Sequence, residues 1–368
     1  MEYEEKDLSK FYLSDDIVEI DYNEIYNIIK ENKIQVDKIE FVVLPKFLEK
    51  VNSCLFKDFI NLKRIIIDEE NRNFSTINGV LYSRKMDILY EVPINYPKNV
   101  FEIESKVKTI KREAIALNKN IKRINFCGCI DKFERDIGYA CENLEEIIFC
   151  DNQKNLAVSD TSDPINNWSA LFISCPKLNK IHLPKELETI GSFCFSYNDK
   201  IKTIQLPNSL KKIGKNAFFK NNIDEIILSE KLEEIGDEAF AGNHIKKVII
   251  PKSVDKIGYG IFASELEEVT VYDTIERGVD KYNISQIPYK KFDVRVQSNI
   301  GFLGVPNFSN NDKNVKWSAF KITVRSFEND EVKFKITMPG KKGGYGKSKT
   351  YTFIDMAECW RKNAQFIR

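Results

Sequence analysis

Residues 181–272 repeat themselves. Ile-Gly pairs fall at Ile190-Gly191, Ile213-Gly214, Ile235-Gly236 and Ile257-Gly258, spaced by 23, 22 and 22 residues, and Phe195, Phe218, Phe240 and Phe262 keep the same spacings. A unit this short cannot bury an apolar row alone, so it must stack on copies of itself. Each unit opens with an alternating run such as Lys202-Thr203-Ile204-Gln205-Leu206-Pro207. Ile204 and Leu206 face one way, Thr203 and Gln205 the other. Stacking joins the inward rows into one core and sets the strands side by side in a parallel sheet. Pro184, Pro207 and Pro251 close three of these runs, where a missing N–H is tolerated. The glycine after each isoleucine is expected to supply a turn conformation barred to other residues, and the phenylalanines are expected in the core.

A period in this range with leucine and isoleucine landmarks is the pattern of leucine-rich repeats. The string Leu-Pro-x-x-Leu-x-x-Ile-Gly-x-x-Ala-Phe, clearest over 206–218 and 228–240, resembles the BspA-like leucine-rich-repeat family. In degraded form the resemblance spans residues 37–275. It implies a bacterial protein that binds proteins or surfaces and, in many members, a secreted adhesin.

The 368 residues are 42% hydrophobic and 30% charged, which argues against a long disordered tract. The opening MEYEEKDLSK is acidic and leads into no apolar run, so a signal peptide is not expected, nor is a membrane span further on. This points to a cytoplasmic protein, or a secreted one if a leader has been removed. Residues 20–32 read as a helix: Asp21 and Glu24 fit a capping box, Ile20 and Ile25 a staple, and Ile25, Ile28 and Ile29 an apolar stripe. Residues 1–36 are therefore expected to be a helical cap on a solenoid covering 37–275. A hairpin insert is expected near 70–100, around Asn78-Gly79, as in the BspA-like family. Residues 151–168, with Asp160, Asp163, Pro164 and Trp168, break the period as a polar loop.

Catalytic chemistry is hard to find. Eight cysteines are present, and Cys127-Gly-Cys129, Cys141 and Cys150 invite a zinc reading. Their spacing matches no paired zinc motif. Cys127 and Cys150 instead share one repeat position and Cys141 and Cys175 another, as small buried thiols would. His182 and His244 belong to no legible triad. The run from Gly340 to Ser348 imitates a phosphate-binding loop, but the first glycine is one residue too early and a strand-like Thr350-Tyr-Thr-Phe follows instead of a helix. No cofactor, metal or small-molecule substrate is expected.

The tail has its own character. Residues 290–368 carry 16 Lys and Arg against 7 Asp and Glu, so a balanced whole chain hides a basic end. Residues 317–325 and 332–338 alternate, with Phe320, Ile322, Val324, Val332, Phe334 and Ile336 on apolar faces and basic residues opposite. A third strand at 351–353 and a helix from Asp355 to about Phe366 complete the pattern. Gly304-Val305, Trp317-x-Ala319 and Phe353 before an acidic helix start resemble the ethylene-response-factor type of DNA-binding domain. The glycine usual before the third-strand phenylalanine is absent, and Cys359-Trp360 replace small alanines. The resemblance implies a sheet face of Trp317, Lys321, Thr323, Arg325, Lys333 and Lys335, with Lys341, Lys342 and Lys347 in a glycine-rich loop, laid on DNA or RNA.

The expected architecture is thus an α/β-type leucine-rich-repeat solenoid, strand-rich with short irregular returns. It is joined through a connector at 276–292 to a small α+β domain over 293–368 with an antiparallel sheet and one helix. The outward strand positions Arg64, Ile66, Arg123, Asn125, Lys180, His182, Thr203, Gln205, Glu225, Ile227, Lys247 and Ile249 form the expected strip for a protein partner. The alternative is a surface adhesin with the tail as cap.

Overall fold

The computed structural model describes residues 9–52, 54–159, 170–251, 253–254, 256–257, 261–262, 268–272, 321–328, 331–339 and 345–354. It forms two compact units, 1–184 and 185–368.

In the first unit, strands Lys10–Tyr12, Phe41–Val43 and Arg64–Ile66 pair in parallel, aligning Phe11, Val42 and Ile65 as one buried row. The strand ladder therefore begins inside the stretch expected to be a helical cap. The helix follows at Tyr22–Glu31. Asp21 caps it reciprocally with Glu24, the backbone N–H of each donating to the other's carboxylate at 2.9 and 2.8 Å. Ile20 before it and Ile25 within it are fully buried.

The insert is an antiparallel hairpin, Phe74–Ile77 with Val80–Ser83, which pairs on with Ile88–Glu91. Its turn needs left-handed backbone at Asn78 (φ 53°) and Gly79 (φ 83°). A Cβ on Gly79 would also lie 2.6 Å from Arg64 Cγ. Ile88–Glu91 then pairs in parallel with Thr109–Ile110, and that strand with Lys132–Phe133. Buried Glu91 accepts hydrogen bonds from the Leu55 and Phe56 N–H groups, 2.9 Å each, while burial pushes its carboxyl up to about 7.

The start of the expected polar loop is ordered structure. Gln153 is buried and pins Ile130 from both sides: its Oε1 accepts from Ile130 N (2.7 Å) and its Nε2 donates to Ile130 O (2.9 Å). A short strand follows at Asn155–Leu156. Asp160, Asp163, Pro164 and Trp168 lie outside the described residues.

In the second unit each Ile-Gly pair opens with a strand, not a turn. Thr189–Ile190, Lys212–Ile213, Glu234–Ile235 and Lys256–Ile257 pair in parallel. Phe195, Phe218, Phe240 and Phe262 stack with centroids 5.7, 5.3 and 5.5 Å apart. The glycine expectation needs correcting. Neither Gly214 nor Gly236 has a left-handed φ; a Cβ on Gly236 would meet the Lys215 amide nitrogen at 2.5 Å. Glycine is there so that one coil's backbone can lie against the next. The left-handed positions are Phe193, Asn216 and Glu238, and then Tyr197, Lys220 and Gly242.

A buried asparagine closes the turn in several coils. Asn221 and Asn243 donate to the Phe195 and Phe218 carbonyls of the preceding coil, at 3.0 and 2.8 Å. Asn118 does the same to Pro93. Cys141 and Cys175 occupy this slot in their coils, donating to Ile115 and Gly138 carbonyls. Those thiols are small buried donors standing in for asparagine.

Strand Lys247–Ile250 pairs in parallel with Glu268–Tyr272, and Tyr345–Ile354 adds in parallel to the latter, with Val271 opposite Phe353. Glu331–Pro339 and Lys321–Glu328 continue as an antiparallel meander. One edge of the tail's three strands is thus bonded to a repeat strand within the same compact unit. The expected helix after Asp355 lies outside the described residues.

Candidate functional site: the outward faces of the parallel strands

Burial of one side of each strand exposes the other, so outward positions recur along the arrays. In the first unit, Tyr12, Val43 and Ile66 share one register and Lys10, Phe41 and Arg64 the next. Tyr12 is 63% and Ile66 38% exposed, an apolar row in which only Ile66 had a sequence signal. Tyr12 was hidden because its strand lies in the presumed cap.

Further along this unit, Val100–Ile103, Arg123–Phe126, Glu146–Ile148 and Lys180–His182 form a parallel sheet. Register aligns Arg123, Glu146 and Lys180 in one row and Asn125, Ile148 and His182 in the next. Arg123 Nε lies 2.6 Å from Glu146 Oε2, while Lys180 Nζ and His182 Nε2 reach Oε1 at 3.1 and 2.8 Å. The Glu146 side chain is only 13% exposed. Burial alone would raise its carboxyl, but hydrogen bonds from His182, Lys180 and Arg123 outweigh that and hold it down at about 2. Three of the four expected contact residues on this sheet therefore converge on Glu146, which the strip left out although it sits one strand from Arg123 at the same alternation. The fourth, Asn125, is half-buried, and its Oδ1 is buried with no hydrogen-bond partner among the described residues.

The second unit presents a different face. Thr203, Gln205, Glu225 and Ile227 are exposed around buried Ile204 and Ile226. The expected strand ladder is reduced here to a single bridge, Thr203 with Glu225. Alternation of burial outlasts the ladder because it follows side-chain chemistry. Ile227 is 86% exposed and Ile249, in the same slot of the next coil, 54%. Lys247 lies in register with Glu268.

Of the expected tail residues, Lys321, Thr323, Lys333 and Lys335 fall in one alternation set of two paired strands. Lys321, Thr323 and Arg325 lie on strand Lys321–Glu328, Lys333 and Lys335 on Glu331–Pro339, and Lys347 on Tyr345–Ile354. Register sets Lys335 opposite Thr323 and Lys333 opposite Ser326, with an irregularity between Val324 and Ser326 that leaves Arg325 without a paired position. Trp317, Lys341 and Lys342 lie outside the described residues.

Among the described residues no group of three or more His, Cys, Asp or Glu is arranged to hold a metal ion. No helix among them is long and apolar enough to cross a membrane. Nothing in the fold speaks for the cytoplasmic location expected from the sequence.

A family model described as BspA type leucine rich repeat region matches residues 4–87, 95–159 and 150–270, in 6 copies. No curated protein matches the chain. Similar solved structures include a leucine-rich repeat protein from Bacteroides ovatus (19% identity, 71% of this chain and 63% of that one, TM-score 0.48). One from Eubacterium ventriosum has 21% identity over 56% of this chain and 60% of that one, with a TM-score of 0.36. The pneumococcal vaccine antigen PcpA has 20% identity, 67% and 53% coverage and a TM-score of 0.35. This chain spans less than two thirds of the length of each.

Proposed function

The chain belongs to the BspA-type leucine-rich-repeat family, and from that premise we propose that it is a non-enzymatic recognition protein whose outward strand faces hold a protein partner. Leucine-rich repeats serve protein interaction, so the choice lies between faces. The observation that carries the reading is the exposure of Ile227 (86%) and Ile249 in consecutive coils, beside exposed Thr203, Gln205 and Glu225. Apolar side chains ringed by polar ones suit a protein surface. They suit a phosphate backbone poorly, since that would call for lysine and arginine there. The Tyr12–Val43–Ile66 row is a second contact surface of the same chemistry. Arg123, Lys180 and His182 orient Glu146 first and meet a partner second. Nucleic-acid binding by the tail would draw on its basic charge. An adhesin would use the same apolar faces, with the partner on another cell.

The test is capture of partners by the immobilised full chain from extracts and surface fractions of its source cell, beside the double variant I227D/I249D. Proteins that cross-link to the 203–249 face of the wild-type chain and are lost from the variant are expected. Equal capture by both, or cross-links confined to other faces, would overturn the assignment.

A further inference from the structure

Among the described cysteines, Cys129 and Cys150 are a pair whose sulfurs face each other. Cys141, Cys175 and Cys194 are fully buried, and the first two close turns as described. Cys54 donates to the Glu113 carboxylate at 2.8 Å. Cys129 and Cys150 are only half-buried, and their sulfurs lie 3.3 Å apart across adjacent coils. The strands leading into them, Arg123–Phe126 and Glu146–Ile148, are parallel neighbours in fixed register. The backbone after them is held too. Gln153 bonds Ile130 through both its amide atoms, and its own N–H donates to the Cys150 carbonyl at 3.0 Å. Cys129's carbonyl accepts from Lys108 Nζ. The sulfurs already lie 3.3 Å apart, so reaching a disulfide bond length of about 2.0 Å asks for a side-chain approach of roughly 1.3 Å.

We propose that Cys129 and Cys150 are an oxidation site, a dithiol that closes into an intercoil disulfide by exchange with a small-molecule disulfide of the glutathione class. One protein sulfur, as thiolate, attacks the reagent and expels one small thiolate. The second protein sulfur then attacks the mixed disulfide and expels the other. The protein pair loses two electrons and two protons, the reagent gains both, and two small thiols leave. Burial, followed by the hydrogen bond to Cys150, raises the Cys129 thiol above its ordinary range, so exchange accelerates toward alkaline pH. The bridge would tie together the two coils whose strands carry Arg123 and Glu146.

The experiment treats the folded full chain with oxidised glutathione under anaerobic, mildly alkaline conditions. Remaining thiols are then blocked, and the digest is mapped by mass without reduction for linked peptides and after reduction with a second label for the released thiols. Cys129 and Cys150 are expected to become oxidised together, as one linked peptide pair, while Cys141, Cys175 and Cys194 stay reduced until the chain is unfolded. C129S and C150S should each abolish the linked pair and leave the other sulfur as a glutathione adduct; C127S should leave the pair intact. The oxidised wild-type chain should melt several degrees higher than the reduced one, a shift absent from C129S. Folding of each variant is checked by circular dichroism. Cys129 and Cys150 both remaining reduced in the folded wild type, or either linking to Cys127 in preference to the other, would overturn the assignment.

Discussion

The outward faces of the two units are built on the same alternation and finish differently. Around Glu146 in the first unit, one carboxylate gathers Arg123, Lys180 and His182, and the polar groups of the face largely satisfy one another. Around Ile227 and Ile249 in the second, the outward positions carry exposed apolar side chains. The core beneath is kept by repetition, so selection on the outward slots is free to make one face self-satisfied and the other adhesive. A face that satisfies itself gains little from a partner, and an exposed isoleucine gains on being covered.

The comparison assumes that both faces rest on equally firm cores, and the largest expected effects test that assumption. Phe218 is sandwiched between Phe195 and Phe240 at 5.7 and 5.3 Å. F218A should cost about 3–5 kcal/mol, read as a fall in the urea midpoint. Phe172, also fully buried and packed edge-on to Phe126 and Phe149, is the first unit's counterpart, and F172A should cost a similar amount. If either variant lost less than about 1 kcal/mol, that unit's core would be too loose to hold its outward face in register.

G236A should be next, at about 1–3 kcal/mol, because the new methyl would meet Lys215 backbone with no flexible side chain to yield. It also shows where sequence reasoning stops. The period marked Gly214 and Gly236 as special, but one sequence cannot tell a glycine needed for φ from one needed for space. The aromatic stack was legible because repetition places like residues on like. The Asp21 cap was legible because its partners are three residues apart. The Glu146 cluster was not, since its members come from three strands whose register only the stacked coils define. Tyr12 escaped because its strand precedes the helix, outside the visible period. The tail's alternation foretold strands but not their parallel bonding to Glu268–Tyr272, a pairing between segments some eighty residues apart that no local pattern encodes.

Two carboxylates in the first unit sharpen the contrast through pH, with opposite signs. Glu146 is held at about 2, below its unfolded value of roughly 4.3. Its contribution is therefore complete above about pH 4.3 and lost as pH falls through about 2. E146Q should lower stability by about 1–2 kcal/mol at neutral pH, since half-exposed Arg123, Lys180 and His182 lose a covered carboxylate partner, and the gap from wild type should close on acidification. Glu91 is raised to about 7. Its contribution is complete below about pH 4.3 and lost as pH rises through about 7, because the folded chain binds the extra proton. Urea titrations across pH on wild type and E146Q separate the two: the acid-side slope should vanish in the variant, and a decline between about pH 5 and 7 should persist. An unchanged acid-side slope in E146Q would mean that the cluster does not form in solution.

The smallest expected effect is the most telling. Ile227 is 86% exposed, so I227D should change the stability of the isolated chain by less than about 0.5 kcal/mol. The same holds for I249D, whose side chain also faces outward. A larger loss would require these isoleucines to be already covered in solution, and self-association is the way to cover them without another protein. Sedimentation of wild type and variant at several concentrations distinguishes the cases. Monomers in both, with unchanged stability, leave the second unit's face free for a partner. A wild-type dimer that the aspartate dissociates would make that partner a second copy of the chain, and the contrast between the two faces would become one between an open surface and an interface.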